Sequence, residues 1–281
     1  MIKSVCIRNY GILAWAALAW LFCGAALAAD PAAQAPRKTN DLGMTFVRIE
    51  PGTFTMGSPV TERLRNQDEV QHPVTITSAF YLQESEVTVK QWRAVMGTPW
   101  IGRRKCSEDM PVTRVSWYDC IKYIKRLNRL DQGRYRLPTE REWEYACRAG
   151  TETVYSWGNG IDCSKAMFGN NTKKDRECTL YYKTIKIEPN GAAPVKSFAP
   201  NAWGLYDMHG NVWEWCQDTY RDYLAGPEGD DSYSTMESDS KVRRGGSWYK
   251  HASYLRSANR TYAHPAAKFR TTGFRLVLEA D

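Results

Sequence analysis

The chain has 281 residues, of which 43% are hydrophobic, 25% charged and 12% aromatic, with 20 Gly and 13 Pro. These values exclude a wholly disordered chain, a collagen-like repeat and a coiled-coil rod, and the length allows one large domain or two small ones. The net charge of +7 is mild, and Arg103-Arg104-Lys105 and Arg243-Arg244 are too short to make a nucleic-acid surface, so no nucleic-acid partner is expected.

The chain opens with Lys3 and Arg8, then an apolar run from Gly11 to Ala29 containing Ala26-Leu27-Ala28. A basic start, an apolar centre and a small-residue cleavage site read as a secretory signal peptide over residues 1–28. An uncleaved anchor is the alternative, because the run is nearly long enough to span a bilayer. A lipoprotein is a poor fit, because Phe22 precedes Cys23. Cleavage would remove two basic side chains and no acidic ones, taking the charge from +7 to +5. The expected location is periplasmic or secreted. Six of eight Cys then remain: Cys106, Cys120, Cys147, Cys163, Cys178 and Cys216. An even count in an oxidising compartment suggests disulfides, and Cys163 with Cys178, flanking a polar loop, is the best pair. The chain has no Cys-x-x-Cys, and its four His, at 72, 209, 251 and 264, lack metal-ligand spacing, so zinc is poorly supported.

Residues 29–42 read as a flexible leader, and 43–281 as one domain. Phe46, Ile49, Phe54 and Met56 alternate loosely, which predicts a strand pair turning at Pro51-Gly52. Residues 58–72 are polar and read as loop. Val74-Thr-Ile-Thr and Phe80-Tyr-Leu are short strands. Three helices are predicted from their caps: Thr88 with Gln91, closed by Gly97; Ser116 with Asp119; and Thr139 with Glu142, closed by Gly150. Beyond residue 150 no long helical period is visible. Buried aromatics, disulfides or a metal must hold that half.

Several separated segments then match one family in order. They include Phe54-Thr-Met-Gly57, Glu86-Val-Thr88 and Pro111-Val-Thr-Arg-Val-Ser-Trp117. Next come Tyr135-Arg-Leu-Pro-Thr-Glu140, Glu142-Trp-Glu-Tyr-Ala-Cys-Arg-Ala-Gly150 and Gly204-Leu-Tyr-Asp-Met-His-Gly-Asn-Val-Trp-Glu-Trp215. Arg244-Gly-Gly-Ser-Trp248 and Gly273-Phe-Arg-Leu-Val277 complete the set. The chain resembles the formylglycine-generating enzyme, or sulfatase-modifying factor, family over nearly its whole mature length. The resemblance implies an α+β, C-type-lectin-like fold with little regular secondary structure and few short helices. It also includes periplasmic members without the copper cysteine pair, of the pyoverdine-maturation type.

Active members oxidise a substrate Cys with two thiolates that bind copper(I), three and eight residues after the Ser of Gly-Gly-Ser. Here those positions are Lys250 and Leu255, and no Cys follows Cys216. Soft thiolates suit copper(I), whereas Leu cannot ligate it and a charged Lys is a poor ligand, so copper and Cys-to-formylglycine conversion are not expected. The remaining cleft positions implied by the resemblance are Ser247, Lys250, His251 and Tyr254, which can position a ligand or move a proton. The plainer reading makes Ser247 and Tyr254 structural and His251 a surface residue.

The resemblance also implies a structural calcium at Asp207, Gly210, Val212 and Glu214, through two carboxylates and two carbonyls, a donor set that suits a hard cation. A capped turn at Asp207 and a Glu214–Arg pair is the alternative. A second family calcium site is not expected, because Met167 and Ile187 stand where oxygen ligands belong. The functional expectation is an oxidative maturation enzyme of altered chemistry; the alternative is a non-catalytic periplasmic binding or regulatory module. The expected partners are a peptide or small-molecule substrate or a periplasmic protein, and the chain is expected to be a monomer.

Overall fold

The computed structural model describes residues 35–97, 107–171, 173–221, 223 and 239–280. The expected signal peptide, Cys106 and the Arg103–Lys105 cluster lie outside the described residues. Among the described residues no helix is long and apolar enough to cross a membrane.

Among the described residues, eleven strands form three sheets around four short helices. The five-stranded sheet is antiparallel, in the order β1 (Arg37–Thr39), β2 (Thr45–Ile49), β5 (Phe80–Gln83), β11 (Val277–Glu279), β6 (Tyr135–Arg136). β5 is buried at all four positions, as its central place between β2 and β11 requires. The second sheet runs β10 (Thr272–Gly273), β7 (Trp213–Thr219), β8 (Lys241–Arg244), β9 (Arg260–Ala263), with only the β10–β7 pair parallel. β3 (Gly52–Met56) pairs with β4 (His72–Ile76).

Two sequence expectations need correction here. The stretch read as a leader contributes β1, paired to β2 over three residues and pinned by Arg37 Nη1 donating to Glu84 at 2.8 Å. The strands around Pro51-Gly52 exist but do not pair with each other: β2 joins the large sheet and β3 takes β4. The alternation told which positions are buried, but partner choice depends on contacts distant in sequence.

The three capping signals each start a helix: α1 (Val89–Met96) behind Thr88, α2 (Trp117–Leu130) behind Ser116, α3 (Glu140–Arg148) behind Thr139. In each, the cap side chain accepts from the third backbone N–H, and the residue three on returns a side chain to the cap N–H. α2 buries Cys120, Tyr123, Ile124 and Leu127 against Trp92, Phe274 and Leu276. α3 buries Trp143, Ala146 and Cys147 in a second core with Leu82 and Met208. A fourth helix, α4 (Arg176–Thr184), was not read from sequence. Asp175 caps it by accepting from Cys178 N, and the Cys163–Cys178 disulfide anchors it to the preceding loop. That disulfide is the expected one. Cys120, Cys147 and Cys216 are free and buried. α4, Met167, Trp248 and Leu255 contribute to a third core, beneath the candidate site.

Candidate functional site

β7, β8 and the turn after β8 carry the motif residues. Gly246 follows β8 at φ +79°, and a Cβ there would come within 2.7 Å of Leu255 Cδ1 and 2.8 Å of Tyr254 O. Gly210, at φ +126°, is similarly crowded, with Met167 O at 2.4 Å and Leu255 Cδ2 at 3.0 Å from a Cβ. Both positions need glycine for conformation and for space. Leu255 fills the room they leave and is fully buried. Its burial is worth about 2 kcal/mol, which marks a packing role.

The four expected cleft residues separate by environment. The Ser247 hydroxyl is buried with no hydrogen-bond partner among the described residues. Lys250 Nζ stands 4.4 Å from the Tyr254 ring centroid, so these two side chains meet. Burial first, then the neighbouring charges of Lys174 and Arg243, lower the Lys250 pKa. His251 is exposed at the start of a short 3-10 turn (Ala252–Leu255) and makes no side-chain cap bond. Ser247 is tied to this segment by Lys250 N donating to its carbonyl at 2.9 Å.

Beside this segment lies a neutral histidine that sequence reasoning did not single out. His209 is buried, with Nδ1 2.7 Å from Leu255 O and Nε2 3.1 Å from Ser156 N. Nε2 must accept from that N–H, so Nδ1 carries the proton and donates to the carbonyl. Burial pushes its pKa down to about 4. Cys147 Sγ is 3.5 Å from Nε2, and burial pushes this thiol up to about 12, so the pair is not a thiolate–imidazolium nucleophile. His209, Trp157, Phe198 and Asp207 line a shallow cleft that none of Ser247, Lys250, His251 or Tyr254 lines.

The expected calcium segment, residues 207–214, lies wholly within the described residues. Asp207 has φ +59°, and its Oδ2 accepts from Lys196 N at 2.7 Å. Glu214 is fully buried; its oxygens accept from Arg275 Nε at 2.6 Å, Arg275 Nη2 at 2.7 Å and Trp143 Nε1 at 2.7 Å. Glu214 is thus already neutralised by Arg275. A second fully buried carboxyl group, Glu86, meets no nitrogen or hydroxyl donor among the described residues and faces only the Asp207 carboxyl. Loss of hydration, then Asp207 and Glu214, push its pKa well above the usual range. Loss of hydration also raises Asp207, to about 6. Among the described residues no three His, Cys, Asp or Glu side chains converge as a ready-made metal cluster. A cation here would need backbone carbonyls as well, as the Gly210 and Val212 expectation supposes. The orphaned Glu86 carboxylate beside Asp207 fits a hard cation. Glu86 was legible only as part of Glu86-Val-Thr88, with no spacing to link it to Asp207.

The sulfatase-modifying factor enzyme 1-like domain matches residues 31–280. The chain belongs to this family. Its fold is C-type-lectin-like and α+β, similar to the structure of PvdO from Pseudomonas aeruginosa at TM-score 0.73 and 27% identity, covering 88% of this chain and 99% of that one. It is 33% identical over 205 residues to the formylglycine-generating enzyme of Thermomonospora curvata, covering 66% of this chain and 62% of the relative. It is 37% identical over 161 residues to an inactive Cα-formylglycine-generating enzyme 2 of Mus musculus, covering 56% of this chain and 43% of the relative. The match therefore spans less than two thirds of either relative's own length. Lys250 and Leu255 are the two positions at which the family's thiol pair was expected. In this fold Leu255 is core, and Lys250 stacks over Tyr254.

Proposed function

We propose that this chain is an exported family member that has left copper-thiolate chemistry and serves in the maturation of a periplasmic peptide or small molecule. The carrying observation is Leu255, packed between Gly210 and Gly246 at the place of a metal-binding thiol, with Lys250 at the other. The likeness to PvdO over 88% of the chain supports the maturation-type role. In the oxidative form of this reading the bound substrate loses two hydrogens to an external acceptor such as molecular oxygen. Lys250, Tyr254, Ser247 and His251 would then position it and handle protons.

The second reading is a non-catalytic periplasmic binding or regulatory module. It is favoured by the exposed, uncapped His251 and by the absence of a hydrogen-bonded base on Ser247 among the described residues. To separate the two, the purified mature protein is incubated in air with the small-molecule and periplasmic protein fractions of a strain lacking it, followed by mass spectrometry. A time-dependent loss of two hydrogens from one component supports maturation. Retention of a component without mass change supports the binding module and removes the enzymatic reading.

We further propose one structural calcium, held by Asp207, Glu86 and the Gly210 and Val212 carbonyls, with Glu214 serving chiefly as the counter-ion of Arg275. When bound, it would supply positive charge to carboxylates that otherwise repel. What supports this is the unpartnered Glu86 carboxylate.

A further inference from the structure

The Ser247–Tyr254 segment gathers cations that have no carboxylate partner among the described residues. Lys174 Nζ is 3.8 Å from the Tyr249 centroid, Lys250 Nζ is 4.4 Å from that of Tyr254, and the Arg270 guanidinium is 4.8 Å from that of Trp248. The Trp248 and Tyr249 rings are 5.5 Å apart, so two of these cations stand over neighbouring rings of one strip. Gly169 N donates to Lys250 O and Asn170 N to Trp248 O, which fixes the loop leading to Lys174 against this segment. Asp175, the acid next to Lys174, is taken by the start of α4. Arg243, half-buried against Trp215 and Phe269, donates to Thr272 Oγ1 and Tyr262 O. Its neighbourhood lowers its pKa to about 10 through burial. None of Lys174, Lys250, Arg243 and Arg270 pairs with a carboxylate among the described residues. This contrasts with Arg244, Arg256, Arg260 and Arg275, each paired with Glu at 3 Å or closer.

Unused donors lie in this segment and in the β8 strand before it. The Ser247 hydroxyl, Trp248 Nε1 and Arg243 Nε are buried without an acceptor among the described residues. A buried indole N–H can only donate, and buried donors ordinarily find acceptors. Surplus donors and surplus positive charge call for the same missing partner. Resting on the reading of this segment as the substrate cleft, we propose that it recognises a substrate through a compact oxyanion group, a carboxylate, phosphate or sulfate, set between Lys250 and Lys174. The tyrosines beneath the two ammonium groups hold them in place by cation–π attraction, which lowers the ordering cost of binding.

The test uses the mature protein labelled with 15N, with the Trp248 indole resonance identified from the Trp248→Phe variant. Benzoate and inorganic phosphate are titrated at constant ionic strength, with benzamide as the uncharged control. The expected result is a saturable shift with at least one anion, telling planar from tetrahedral preference, and no shift with benzamide. Lys250→Gln and Lys174→Gln, both on side chains only half-buried, should each weaken binding about tenfold while the rest of the spectrum stays folded. Absence of a saturable response to either anion, an equal response to benzamide, or an unchanged affinity in both variants overturns the proposal. Such a failure leaves the maturation reading standing, because the extract experiment does not depend on these probes.

Discussion

Glu214 and Arg275 illustrate how this protein uses charge at single positions. Both are fully buried, and their bidentate contact is closed by the Trp143 N–H. Burying such a pair gains little by itself, but removing one partner strands the other charge in the core. Glu214→Gln should therefore lower unfolding stability by about 3–5 kcal/mol, read from urea denaturation with or without calcium. A loss under about 1 kcal/mol would show that Arg275 finds another partner. His209 gives a pH prediction of definite sign. Its folded pKa of about 4 lies below the 6.5 of a free imidazole, so between those values the unfolded chain binds the extra proton. This contribution is full above pH 6.5 and is lost as pH falls toward 4, by about 3 kcal/mol in total. His209→Gln should remove that part of the acid slope when unfolding is compared from pH 7 to 4.5. An unchanged slope would mean that the imidazole is not held neutral.

Among the elements, the clearest lesson concerns what the sequence could and could not announce. Ser116-x-x-Asp119 and Thr139-x-x-Glu142 are local devices, complete within four residues, and each starts its helix where it stands. Thr139→Ala should cost about 1 kcal/mol and leave the fold intact by circular dichroism. β1 and the β3–β4 pair were missed or misassigned because each depends on partners distant in sequence: Arg37 on Glu84 and Phe54 on Val74. α4 escaped because its Asp175 cap has Cys178, not an acid or amide, three residues on, so no reciprocal capping box announces it. In the site, the Gly-Gly-Ser and Asp207–Glu214 segments were legible as motifs. The Glu86 carboxylate, the Arg275 counter-ion and the Lys174–Tyr249 contact were not, since only the folded chain brings those residues together. The disulfide closes a separation of 15 residues, a loop worth about 3 kcal/mol of denatured-state restriction. Its reduction should lower the thermal midpoint and release α4 first, seen as early hydrogen exchange over 176–184. Equal exchange in the oxidised and reduced protein would contradict that anchoring role.

Two proposals concern the whole molecule, a structural calcium and the loss of copper chemistry. An ion that binds only the folded state stabilises by mass action, about 2.7 kcal/mol at a free concentration 100 times its dissociation constant. For a domain of this size that is a rise in Tm of about 5–10 °C, removed by chelation and restored better by calcium than by magnesium. Glu86→Gln should abolish most of this response. A metal-free preparation whose thermal transition ignores both chelator and calcium would leave Glu86 and Asp207 as a carboxyl pair and the calcium proposal without support. Export is tested by the mature N-terminus, expected at Ala29 in protein recovered from a periplasm; retention of residues 1–28 would place the chain on the membrane. The central claim is that Lys250 and Leu255 have replaced the family's copper thiolates. Its most direct test is incubation of the mature protein, supplied with copper(I) under reducing conditions and then oxygen, with a cysteine-containing sulfatase peptide, followed by mass spectrometry. The account predicts an unconverted cysteine and no tight copper site, whereas conversion of that cysteine to formylglycine would contradict it.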